Sequence, residues 1–156
     1  MTPSDGAAAS ARHGEPAYLD ASVIISYLLD DPADMAEAAR VCFEAAARGD
    51  IWLLVTPTTL AEVVWVLGAA YRKERAHIAE IMSAFMTADG IDPGSRDEVT
   101  LALSLYRERN IDFADALLAA RSLLTGPPVI YSFDRHFDRI PGVVRRVPGK
   151  QREEHA

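Results

Sequence analysis

The chain has 156 residues, 49% hydrophobic and 25% charged, with 9 Gly and 9 Pro, the composition of one globular domain and not of a two-domain enzyme. Its single cysteine, Cys42, excludes a disulfide framework and a cysteine-based zinc site, and His13, His77, His136 and His155 show no close ligand spacing, so any metal must be held by oxygen. A formal net charge of −7 argues at first against nucleic acid as a partner, because phosphate binding usually leaves a basic footprint.

Residues 1–16 are small and polar and read as a flexible leader without the apolar segment of an export signal, which makes the expected location cytoplasmic. No 18 apolar residues run together, since Glu62 interrupts the most apolar stretch, so no membrane span is expected. The folded domain is expected over 17–149, with a flexible tail at 150–156. Ala17 to Leu19 reads as a short strand ending at Asp20, and ASVIISYLLDD has helical spacing through Val23, Ile24, Tyr27 and Leu28. Ala33 to Arg48 is a second helix, closed by Gly49. IWLLV at 51–55 has the continuous apolar run of a strand buried on both faces.

After Pro57, Thr58 or Thr59 is placed to cap a helix reaching about Tyr71. Another helix covers 75–88, Ile91 falls in a very short strand, and Arg96 to Glu108 and Asp112 to Leu124 are two more helices. PPVIYSFD is a strand that stops at Asp134, and GVVRRV at 142–147 is an edge strand. Strands separated by helices imply an α/β fold with a parallel sheet covered by helices. Trp52, Trp65, Phe85 and Phe113 lie in apolar stretches and are expected in the core, and Cys42 is expected to be a small buried hydrophobe.

The acids are the informative feature. Ligands of open parallel sheets bind outside the carboxyl ends of the strands, and Asp20 and Asp134 stand where two apolar runs end. Glu62 lies in TTLAEVVWVLGAAY and Asp115 in IDFADALLAARSLL, settings in which a lone buried carboxylate is costly unless something compensates it. Four such carboxylates suggest a shared cation. Each also has a plain structural explanation: Asp20 and Asp134 can cap the next helix, while Glu62 three residues after Thr59 and Asp115 three after Asp112 have capping-box spacing. Ser22 and Ser132 are placed to orient a carboxylate or a metal-bound water. Arg135 and His136 are candidate phosphate contacts. Between Arg135 and Arg152 six basic residues face one acid, Asp138, a local basic rim to which Arg72, Lys73, Arg75 and Arg121 can add.

YLDASVIISYLLDD, TPTTLAEVVWVL, IDFADALLAA and VIYSFDRHFDRIPGV, in that order, resemble the four motif regions of PIN-domain ribonucleases, most closely the VapC-type toxins of toxin–antitoxin pairs. The resemblance spans roughly residues 17–147. It implies a three-layer α/β/α sandwich with a short, mainly parallel sheet, and it assigns the catalytic and metal-binding acids to Asp20, Glu62, Asp115 and Asp134, with Asp112 opening the third-motif helix. Mg²⁺ or Mn²⁺ suits such an oxygen-only site, because hard divalent ions prefer carboxylates and activate water for phosphodiester hydrolysis. The resemblance further implies an RNA substrate, a small antitoxin partner and a homodimer. Two other classes remain open from the residues alone: an RNA-processing PIN nuclease without an antitoxin, and a noncatalytic α/β binding module whose acids only cap helices.

Overall fold

The computed structural model describes residues 14–150. Its elements run β1 (Glu15–Tyr18), α1 (Ala21–Leu29), α2 (Ala33–Ala47), β2 (Ile51–Leu54), α3 (Pro57–Trp65) continued by a π-helical turn (Val66–Ala70), α4 (Arg75–Met86), β3 (Ile91–Asp92), α5 (Arg96–Arg109), α6 (Phe113–Leu124), β4 (Val129–Tyr131), a 3₁₀ turn (Arg135–Arg139) and β5 (Val144–Arg146). The chain is a mixed α/β protein whose strand pairs are all parallel. It divides into two compact units between Arg96 and Asp97.

In the first unit the strand order is β1-β2-β3, with Glu15 to Tyr18 opposite Ile51 to Leu54 and Leu53–Leu54 opposite Ile91–Asp92. Parallel neighbours cannot be joined by a hairpin, so the chain crosses from β1 to β2 through α1 and α2 and from β2 to β3 through α3 and α4. Glu15 and Pro16, expected in the leader, belong to β1. The Glu15 N–H donates to the Asp50 carbonyl at 3.3 Å, which extends the ladder before the apolar run begins. Residues 1–13 and 151–156, most of the expected leader and tail, lie outside the described residues. Ile24, Leu60, Leu67 and Ile78 are fully buried, and Phe43 meets the tilted ring of Tyr27 at 4.6 Å and the ring of Phe85 edge to face at 5.9 Å.

Helix α3 departs from expectation at both ends. Its cap is Thr56, whose hydroxyl accepts from the Thr59 N–H at 3.2 Å, and neither Thr58 nor Thr59 fills that role. Pro57 occupies the first helical turn, where its missing N–H costs nothing. The buried stripe is Leu60, Val63, Val64 and Leu67, a spacing of i, i+3, i+4, i+7 that occupies one face. Trp65 therefore points away, 69% exposed, where an apolar setting had suggested core. Trp52 and Cys42 are half-buried, while Phe85 and Phe113 are buried as expected.

The second unit contains α6 with its buried Ala116, Ala119 and Ala120, and the parallel pair β4–β5 with Val129 opposite Val144. Tyr106 and Phe113 meet edge to face at 6.1 Å. Glu98 is buried on α5, and both of its carboxylate oxygens accept from Arg121 Nε on α6 at 3.2 Å. Among the described residues no helix is long and apolar enough to cross a membrane.

Gly90, between α4 and β3, has φ +79, and a Cβ there would collide with the backbone carbonyl of Ala46. Gly94 has φ +70 with open space around it. Gly94→Ala is therefore expected to cost only the left-handed strain, about 1–2 kcal/mol, whereas Gly90→Ala adds about 1–3 kcal/mol of crowding. Urea midpoints of the two variants check this; equal midpoints would contradict the close approach.

Candidate functional site

In the first unit, Asp20 follows β1 and starts α1. Its Oδ2 accepts from the Ser22 N–H at 3.1 Å and from the Ser22 hydroxyl at 2.6 Å. These bonds, the hydroxyl first, hold its carboxyl below the usual carboxylate range. Asp20 thus caps the helix and stands at the carboxyl end of the strand at once. The parallel register places the end of β2 beside it, since Leu19 N–H donates to Leu54 O at 2.9 Å. Glu62 lies two turns into the helix that starts there, and it is exposed. Because the cap is Thr56, the capping-box explanation for Glu62 falls away.

In the second unit, β4 ends at Tyr131 and the chain turns through Ser132 to Asp134. Ser132 Oγ accepts from the Asp134 N–H at 2.9 Å, and Asp134 Oδ1 accepts from the His136 N–H at 2.8 Å. The imidazole Nδ1 of His136 lies 3.3 Å from the same oxygen, so Asp134 orients a ring that stays exposed. Arg145 on β5 brackets this turn: its Nη1 donates to the Ser132 carbonyl at 3.1 Å, and Nε and Nη2 grip Asp138 at 2.9 and 3.0 Å. The Arg145 bond holds the Asp138 carboxyl below its ordinary value. A guanidinium with all three contacts in fixed geometry is the planar fork that suits such a clamp.

Asp115 sits in the first turn of α6, half-buried. Burial, then the charges of Asp134 and Asp112, push its carboxyl up, and His136 pulls it partly back. Asp112 holds the N-cap position of α6 without a side-chain capping bond, which fits the register that puts Asp115, not Asp112, inside the helix. The second unit thus brings Asp112, Asp115, Asp134 and His136 into one electrostatic neighbourhood. Among the described residues no group of three or more His, Cys, Asp or Glu is close enough to hold a metal ion. The chemistry of the donors still fits a hard cation: they are carboxylates, and at Asp115 burial and like charge disfavour the negative form, which positive charge would offset.

Several expected cations are engaged by other groups of the chain, although only Arg145 among them is largely buried. Arg145 clamps Asp138, Arg139 Nη1 donates to the Asn110 carbonyl at 2.9 Å, and Arg121 pairs with Glu98. Arg152 lies outside the described residues. Arg135 and Lys150 are exposed and Arg146 is half-buried, so the basic rim is smaller than the residue count implied. Two features went unnoticed in the sequence: the Arg145 clamp and the buried Glu98. Only the second leaves a local signal, because Glu98, Ala102 and Leu105 follow helical spacing on one buried face.

Residues 17–143 match the family model of the PIN domain. A VapC ribonuclease of Aquifex aeolicus (strain VF5) is 24% identical to the chain over 122 residues, covering 78% of this chain and 90% of that protein. The span matched by the family model includes Asp20, Glu62, Asp115 and Asp134 and the serines Ser22 and Ser132.

A carboxyl raised in the folded state keeps its proton at pH values where the unfolded chain has released it. The stability it contributes is full below the unfolded value and is lost as pH rises through the folded value. Asp115→Asn is therefore expected to raise the urea midpoint of the metal-free protein above the carboxylate range and to flatten the decline there. Asp20 is shifted the other way, so Asp20→Asn is expected to lower the midpoint at neutral pH and to converge with the parent as pH falls below the usual carboxylate value. Midpoints measured between pH 3 and 8 check both signs; parallel curves for Asp115→Asn and the parent would contradict the crowding at Asp115.

Proposed function

This chain belongs to the PIN domain family, and from that premise we propose that it is a metal-dependent endoribonuclease acting in the cytoplasm as the toxin of a toxin–antitoxin pair. The observation that supports the reading most directly is Asp115, a helix-borne carboxylate disfavoured in its charged form by burial and by Asp134 and Asp112, in a chain similar along 78% of its length to a VapC ribonuclease. Carboxylates perturbed by burial together with specific charged neighbours cluster at functional sites.

Asp20 and Asp115 hold the principal Mg²⁺ or Mn²⁺, and Glu62 and Asp134 complete the site directly or through water. When bound, such an ion supplies an attacking water of lowered pKa and offsets charge on the phosphate. The chain's own residues prepare the rest. Ser22 keeps Asp20 ionised through its amide and hydroxyl. Ser132 and His136 fix the Asp134 turn, and Arg145 holds that turn to β5. Arg135 and His136 meet the RNA phosphates. In the hydrolysis the water oxygen bonds to phosphorus and the bond to the 3′ oxygen breaks. That oxygen takes a proton to leave a 3′-hydroxyl, and the phosphate stays on the 5′ end.

The partner is an antitoxin that lays an apolar segment and a basic side chain against the acids. The chain assembles as a homodimer through helices near the first and third motifs, which predicts a mass of twice 17.0 kDa by light scattering at micromolar concentration; a monomer mass would contradict it. The central test is cleavage of structured and unstructured RNA with Mg²⁺, Mn²⁺ or EDTA. Cleavage is expected only with a divalent ion, and Asp20→Asn or Asp115→Asn is expected to lower it at least about 10²-fold, the scale of losing one electrostatic contact to the transition state. Folded variants that keep full metal-dependent cleavage would sink the assignment of these acids.

A further inference from the structure

One cation faces two carboxylates at the 3₁₀ turn after β4. Asp134 caps this turn and Asp138 stands within it, while Arg145 reaches it from β5, where it lies opposite Ile130. With only 13% of its side chain exposed, the guanidinium is largely removed from water and needs a counter-charge. It takes Asp138 through the fork of Nε and Nη2 and gives Nη1 to the Ser132 carbonyl. Asp134 accepts instead from the His136 N–H, through Oδ1. Its charge nevertheless favours the positive guanidinium, after the larger effects of the Asp138 bond, of burial and of the Asp138 charge, so the two attract each other across the turn. Three bonds hold the turn without the guanidinium: Ser132 N–H to Arg146 O at 3.0 Å, Asp134 N–H to Ser132 Oγ at 2.9 Å and His136 N–H to Asp134 Oδ1 at 2.8 Å.

We propose that Asp138 is a positioning residue for the acid site: by occupying the Arg145 fork it keeps this cation off Asp134 and leaves the Asp134 carboxylate open to a divalent ion. The Nε–Nη2 edge serves one carboxylate at a time. Without Asp138 the guanidinium is a largely buried cation with an empty fork, and Asp134 is the other acid of the same turn. A carboxylate neutralised from within attracts an outside cation less, so an arginine closed on Asp134 competes with the ion. Asp138 thus acts on the metal site without touching the metal, as the outer partners of ligating groups do. A clamp that only braced the turn predicts otherwise: loss of either partner would loosen it alike, and loss of both would be no better than loss of one.

The proposal rests on the nuclease reading, and the experiment separates the two. Mn²⁺ binding to the RNA-free full chain is measured by calorimetry, beside the Mg²⁺ concentration for half-maximal cleavage and the urea midpoint. Asp138→Ala is expected to weaken Mn²⁺ binding about tenfold and to raise the Mg²⁺ requirement in step. Asp138→Glu, which keeps a carboxylate for the fork, is expected to recover most of the loss. The deciding chain combines Asp138→Ala with Arg145→Gln; it lacks the competing charge and is expected to bind Mn²⁺ as the parent does, even with a lowered urea midpoint. Non-additivity of that sign isolates the coupling between the two residues. Asp138→Ala that binds Mn²⁺ as tightly as the parent, or a double variant as weak as Asp138→Ala, would overturn the proposal and leave the nuclease standing. Where Asp138→Ala does not fold, Asp138→Asn takes its place; if neither folds, the pair serves the fold and the proposal falls. A parent chain that neither binds Mn²⁺ nor cleaves RNA would remove the nuclease reading itself.

Discussion

The constraint behind much of this structure is the handover from a parallel strand to the turn that follows it. The first N–H groups of that turn have no partner within it and need an acceptor. At the end of β1 the acceptor is Asp20, and after β4 it is Asp134. The same geometry sets each acid at the carboxyl end of its strand, the place where parallel sheets meet ligands. Capping and ligand binding are thus not rival explanations of these residues. In each case the bonds fall on one oxygen, Oδ2 of Asp20 and Oδ1 of Asp134, so the fold orients the carboxylate without engaging it symmetrically.

Glu62 and Asp115 have no such structural duty. Thr56 caps α3, which leaves Glu62 an exposed carboxylate on an otherwise apolar helix. Asp115 is held above the ordinary carboxylate value while Asp20 is held below it. Opposite tuning of acids by different surroundings, hydrogen-bond donors at one and burial with like charges at the other, is the physical basis for dividing roles among chemically similar groups. A chain that only needed helix caps has no use for a crowded acid one turn into α6.

How much of this was legible depended on whether the deciding contact was local. Strand ends and helix starts are neighbours in sequence, so Asp20 with Ser22 and Asp134 with Ser132 could be read from spacing alone. The short β3 and the helical spans of α1, α2 and α4 followed from apolar periodicity and glycine. Composition misled at TTLAEVVWVLGAAY: the stretch is apolar throughout, but only Leu60, Val63, Val64 and Leu67 share a face, and Trp65 falls outside it. Pro57 read as a boundary, although it is the first helical residue and moves the cap to Thr56. The pairings of Arg121 with Glu98, 23 residues apart, and of Arg145 with Asp138 across the β5 turn depend on tertiary geometry, and no pattern of spacing announces them.

Those pairings also alter the meaning of the charge. The net −7 includes arginines already paired with carboxylates of the fold, Arg121 with Glu98 and Arg145 with Asp138, so the cations left unpaired for a polyanion are fewer than the sequence counts. A polyanion then cannot be drawn by the protein's overall field, which repels it, and short range must supply the attraction. In the proposed nuclease the acids oppose the phosphate until a divalent ion offsets them, which makes ion and RNA mutually favourable ligands. By linkage, whatever factor the ion adds to the affinity for RNA, the RNA adds to the affinity for the ion. The acidic balance that first argued against nucleic acid is then the reason why its binding would depend on the metal.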